Sequence, residues 1–171
     1  MLKHGFDMQQ LFLSAPGDLA TEREVCRIAI SDVNEREAMP AKILLVTVGL
    51  TNHGHIVDYR SAVAENVRAS TYFIQLFEDD WGPRNLFRKM FHLAVECRDD
   101  AALPMRDVVV FMKAAAGEAD PEILAFRKEL AERQDVRVFG FAQAGTLKEQ
   151  VAAVCQDWVR AIGAASAATI S

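Results

Sequence analysis

Apolar and polar positions follow two different rhythms along this chain, and the switch between them repeats five times. Short apolar runs at Met8–Leu13, Ile43–Gly49, Thr71–Phe77, Val108–Lys113 and Val136–Phe141 predict strands. The runs "ILLVTVG" and "VVVFMK" are nearly continuous rather than alternating, the pattern of strands covered on both faces.

Between the strands the spacing becomes helical. In the first helix Leu19, Cys26, Ala29, Ile30 and Val33 share a face, while Glu22, Arg23, Glu24 and Arg27 point elsewhere. Tyr59, Val63 and Val67 stand one turn apart in a second helix over Asp58–Arg68. Leu86, Met90, Leu93, Ala94 and Cys97 space a third, with Phe87 and Phe91 to one side of the stripe, where they widen the core face or, as the alternative, seed a contact surface. The fourth opens with Asp120-Pro121, a cap residue followed by proline at the first helical position, and turns Ile123, Phe126 and Leu130 inward. The last opens on "TLKE", Thr146–Glu149, a capping box, and carries Leu147, Val151, Val154, Trp158 and Ile162.

Five βα units in series predict an α/β protein: a three-layer flavodoxin-like sandwich around a five-stranded parallel sheet of order 2-1-3-4-5, with a Rossmann half-fold as the alternative. Residues 1–163 form one domain on this reading. Residues 164–171, small and weakly polar, read as a disordered tail or the start of a linker.

Such sheets bind ligands beyond the carboxyl ends of the strands, where strand order reverses. For this order the point lies between strands one and three. The loops there are "SAPGDL" (Ser14–Leu19) and "EDDWGPRN" (Glu78–Asn85), two of the most polar, turn-rich segments in the chain. Ser14, the amides of Ala15 and Gly17, and Asp18 are candidate ligand contacts at a helix N-terminus. Asp80 joins them, with Trp81 as a stacking plane and Arg84 as a charged grip. The structural alternative makes Asp18 and Asn85 helix caps, packs Trp81 on the rim, and leaves Asp79, Asp80 and Arg84 as solvated turn residues.

Other chemistry is thinly represented. "SAPGD" is neither G-x-G-x-x-G nor a Walker loop, so tight triphosphate binding is not indicated. His53, His55 and Asp58 lack the spacing and the further ligand that a metal site needs, and no metal is expected. His55 or Asp58 can be read as a general acid or base at a site edge, or Asp58 as the cap of the second helix. The G-x-S-x-G elbow is absent.

Composition narrows the partners. Half the residues, 51%, are hydrophobic and 25% charged, as in ordinary globular proteins. The net charge of −5 comes with no Lys/Arg block, which argues against nucleic acid as a partner. Cys26, Cys97 and Cys155 are widely spaced on apolar helix faces and read as buried reduced thiols. With no signal sequence and no apolar run long enough to span a bilayer, a cytoplasmic protein without a membrane partner is expected.

From "LFLSAPGDLATERE" onward the chain resembles the TIR-like domains of bacterial signalling and conflict-response proteins. The resemblance is closest to a branch opening with a strand and Ser-Ser/Ala-x-x-Asp-Leu-x-x-Glu-Arg, here Ser14 to Arg23. "VAENVRASTYFIQLFEDDWGP", Val63–Pro83, is similar to the family's helix–strand–loop passage, through Ser70-Thr71, Trp81 and Gly82, and "VVVFMK" to its next strand. The resemblance covers most of residues 8–160. It implies a fold related to TIR domains and nucleoside deoxyribosyltransferases, at the N-terminus of a protein that carries an NTPase or effector module. It also implies NAD or a related nucleotide as candidate ligand, with no required cofactor. Enzymatic members cleave NAD or make a cyclic nucleotide with a helix glutamate. Here Arg88 and Lys89 stand where acids are expected, and Glu96 lies near the far end of that helix.

Two function classes follow. One is a signalling module that binds a nucleotide-like ligand, assembles with itself, or passes its state to a protein partner. The other is an enzyme that cleaves an N-glycosidic bond of NAD or a nucleoside, with Glu22, Asp18, Asp58, Asp80 and Glu65 as candidate carboxylates. A protein-interaction scaffold is the third.

Overall fold

The computed structural model describes residues 2–3, 5–49, 59–79, 85–115, 117 and 120–170. A two-residue strand, β1 (Leu2–Lys3), precedes five strands at the predicted runs: β2 (Phe6–Ser14), β3 (Ile43–Gly49), β4 (Tyr72–Phe77), β5 (Asp107–Lys113) and β6 (Arg137–Phe141). The helices are α1 (Ala20–Val33), α2 (Tyr59–Ala69), α3 (Leu86–Asp99), α4 (Pro121–Glu132) and α5 (Ala144–Ile170).

The five long strands are parallel and stand in the order β3-β2-β4-β5-β6, which is 2-1-3-4-5 along the chain. This is the flavodoxin-like arrangement. β1 adds an antiparallel pairing of Leu2 with Asp7 and Lys3 with Phe6. It fits because β4 pairs with β2 only from Leu11 onward. Gly5, at φ 82°, makes the intervening turn, a conformation that a Cβ would strain.

Alternation along the strands divides the core into two layers. Leu11 and Leu13 of β2, Ile74 and Leu76 of β4, and Val109 and Phe111 of β5 pack under α1 and α5. Phe12, Phe73, Phe77, Val108 and Val110 pack under α2, α3 and α4. Phe12 and Phe73 stack at 5.5 Å, and Phe77 meets Phe126 of α4 edge-on at 5.7 Å. Each such side chain contributes about 1.5–3 kcal/mol of burial. Phe87 and Phe91 are buried in this second layer, as the widened stripe predicts.

Helix ends differ in detail from the expected pattern. Asp120 does cap α4, its Oδ1 accepting from the Glu122 amide at 2.9 Å. The capping box at Thr146 does not form a helix start, because α5 begins one half-turn earlier, at Ala144, and the Leu147 amide donates to Gln143 O. α5 then continues through the residues expected as tail or linker as far as Ile170, with residues 164–169 exposed. Asp18 is not the cap of α1. A single 3-10 turn, Gly17–Leu19, intervenes, closed by the Leu19 amide on Pro16 O, and Leu19 takes the cap position. Asn85 does precede α3, in a left-handed conformation, but its side chain makes no cap bond. Among the described residues no helix is long and apolar enough to cross a membrane.

Candidate functional site at the carboxyl ends of β2 and β4

The reversal of strand order falls between β2 and β4, whose last residues pair as Leu13 with Ile74 and Ser14 with Gln75. The first and third βα connections therefore start side by side, as the fold requires. Ser14 shares a sheet face with Phe12, and Gln75 shares one with Phe73 and Phe77, so both side chains turn toward α2 and α3.

Ser14 is 1% exposed and Gln75 0%. The Gln75 Nε2 donates to Leu76 O at 2.7 Å and Ser14 O at 3.3 Å. Its Oε1 has no partner, and neither has the Ser14 hydroxyl. Buried polar atoms are almost always paired, so two orphans on facing residues call for a reason. Elsewhere among the described residues only Gln150 Oε1 shares this condition, with its Nε2 on Gly140 O.

The amino end of the same strand pair is the control. There Thr71 Oγ1 donates to Gln9 Oε1 at 2.9 Å, Gln10 Nε2 donates to Ser70 Oγ at 3.0 Å, and Ser70 Oγ donates to Asn66 O at 2.7 Å. Buried polar side chains at the amino end of β2 and β4 are satisfied; at the carboxyl end they are not.

On the other face of the rim stands a charged group. The Lys113 ammonium at the end of β5 donates to Glu22 of α1 at 2.6 Å and lies 3.9 Å from Glu78. Its hydrogen bond to Glu22 holds the lysine above its usual pKa, against the opposing effect of burial. Arg127 of α4 ties the ends of β4 and β5 together, donating to Glu78 O at 2.7 Å and Lys113 O at 3.0 Å. Asp18, Glu78 and Asp79 bring carboxylate oxygens within 4.8 Å of one another. These are the described residues that could hold a cation, although Asp18 and Asp79 are exposed to solvent.

The expected site residues divide as follows. Ser14 and Asp18 come to the rim; Ala15 is buried in the layer under α1, and Gly17 opens the 3-10 turn. Glu22 is at the rim but engaged with Lys113. Glu65 is on the exposed side of α2. Asp58, Asp80, Trp81 and Arg84, with His53 and His55, lie outside the described residues. On α3, Arg88 sits over the Phe126 ring at 5.2 Å, and Glu96 is exposed in the last turn.

Sequence reasoning passed over Gln75, Lys113 and Arg127. The signal for Gln75 was present: one amide interrupts the otherwise apolar stretch "YFIQLF", every residue of which is buried. Cysteine chemistry has no footing here, since all three thiols are buried and unpaired. Burial pushes Cys155 up to about 12 and raises Cys26 and Cys97 as well, which suppresses the thiolate.

No family model and no curated protein matches this chain. Among solved structures it is similar to a metal-soaked flavodiiron core from Synechocystis sp. PCC6803, with 15% identity and a TM-score of 0.49 over 94% of this chain. The chain spans 37% of the length of that protein.

Proposed function

We propose that this chain is a TIR-like signalling module of the cytoplasm that takes a nucleotide-like ligand at the carboxyl ends of β2 and β4. It passes the bound state to a partner protein, to a fused NTPase or effector domain, or to further copies of itself. The observation that carries this reading is the pair of orphaned polar atoms, Ser14 Oγ and Gln75 Oε1, on registered residues at the point of strand reversal. An unpartnered buried polar atom costs about 1–3 kcal/mol. A ligand that supplies the missing hydrogen bonds relieves that cost, so the free protein is poised to be stabilised by binding. The three buried, unpaired thiols suit a reducing compartment.

Cleavage of an N-glycosidic bond is the reading with less behind it. Glu22 is charge-compensated by Lys113. The start of α3 offers Arg88 and Lys89, with Glu96 in the last turn.

The test is a thermal-shift panel of NAD, ADP-ribose, cyclic nucleotides and nucleosides, with Ser14→Ala alongside the parent. A ligand that binds only the folded state at a hundred times its Kd adds about 2.7 kcal/mol and raises Tm. The expected result is a rise with one class of compound that shrinks in Ser14→Ala. A flat response across the panel favours the scaffold instead, and steady NAD consumption lost on changing one carboxylate favours the enzyme.

A further inference from the structure

Gln75 limits what chemical group can enter the site. Its Nε2 is committed to two carbonyl oxygens, those of Leu76 and Ser14. Turning the amide over would set Oε1 against the same two oxygens, so the hydrogen-bond network fixes the orientation. What remains is an acceptor, Oε1, buried without a partner at the strand reversal, which only a donor can satisfy. Ser14 Oγ beside it can donate or accept.

Among the described residues Asp18, Glu22, Glu78 and Asp79 are set against Lys113 and Arg127. Both cations are already engaged, Lys113 with Glu22 and Arg127 with the two backbone carbonyls. A phosphate or carboxylate would bring further acceptors to the orphaned acceptor of Gln75.

We infer that Gln75 is a specificity-determining residue and that the group taken at the carboxyl ends of β2 and β4 is an uncharged N–H or O–H donor, of the primary-amide or amino class, rather than an anion. This rests on the ligand-site reading above and narrows it: the phosphates of a nucleotide-like ligand lie away from this rim, and the base or amide end enters.

Two matched pairs of probes test the inference by calorimetric titration of the full chain: nicotinamide against nicotinate, and adenosine against its 5′-monophosphate. Nicotinamide and nicotinate are nearly equal in size but differ in N–H donors and charge. The expected result is at least a tenfold tighter Kd for the uncharged member of a pair. In Gln75→Leu that preference is lost, and in Ser14→Ala the uncharged probe binds more weakly; melting curves for both variants establish that they are folded. If the anionic member binds as well or better and its binding still depends on Ser14, the donor rule is overturned while the site stands. If no probe binds and the nucleotide panel is also flat, both fall.

Discussion

Lys113 and Glu22 are 91 residues apart in sequence and 2.6 Å apart in space, joining the end of β5 to the first turns of α1. The contact fastens the rim of the sheet on the side opposite Ser14 and Gln75. Lys113→Met leaves Glu22 and Glu78 as partly buried carboxylates without their cation and should lower stability by about 1–2 kcal/mol in urea unfolding. Adding Glu22→Gln should return part of the loss. Because the bond to Glu22 raises the Lys113 pKa, its contribution is complete below lysine's ordinary value, about 10.4. It disappears only as the pH climbs through the higher folded value. An unchanged midpoint in Lys113→Met would show the pair to be solvated and without consequence.

Ser14→Ala separates stability from binding. Deleting a buried hydroxyl that has no partner should stabilise the ligand-free protein by about 1 kcal/mol, seen as a rise in Tm of about 2–4 °C for a chain of this size. The same change should weaken the response to ligand. A fall in Tm on making this substitution would mean that the hydroxyl is already paired in solution, for example by an internal water.

Gly49 closes β3 directly against β2. A Cβ at this position would lie 2.6 Å from Leu13 O, a backbone atom in the registered partner strand that has no rotamer to change. Gly49→Ala should therefore cost about 1–3 kcal/mol through overpacking, measured by chemical denaturation. A neutral result would show that the end of β3 can swing away from β2.

Tyr72 stacks on Trp158 with ring centroids 4.2 Å apart, and Trp158 Nε1 donates to Asp107 at 2.8 Å. Burial pushes the Tyr72 phenol up to about 12, with Arg106 partly opposing it. The unfolded chain releases this proton near the ordinary value of about 10, whereas the folded chain retains it. Stability should thus fall across the interval from about 10 to about 12. Ultraviolet titration should show a late phenolate step that is missing in Tyr72→Phe; if that substitution instead removes a step at the ordinary value, the ring is solvated.

The sheet was readable because its cause is local. Each βα unit repeats an apolar run followed by a 3.6-residue stripe, and strands covered on both faces cannot be polar, so "ILLVTVG" and "VVVFMK" could be little else. Parallel strands joined by helices then leave few possible orders. The cap of α4 at Asp120 was equally local. The start of α5 was not: Thr146 and Glu149 satisfy the capping pattern, yet the chain is already helical at Ala144. Leu2–Lys3 carries no signal as a strand, and its pairing depends on the stretch of β2 that β4 leaves uncovered.

For the site, the order of strands was enough to name Ser14 and the two loops that flank it, because reversal of order decides where a crevice opens. Which atoms there go unsatisfied was decided only by tertiary structure. Gln75 looks like a lone polar interruption in a strand until the register sets it beside Ser14 and its amide turns to two carbonyls. Lys113 reads as the solvated end of a strand until the crossover brings Glu22 to it from 91 residues away. Periodicity along a chain reports which face of an element is buried; hydrogen bonds and ion pairs between elements depend on distances that exist only once the layers are stacked.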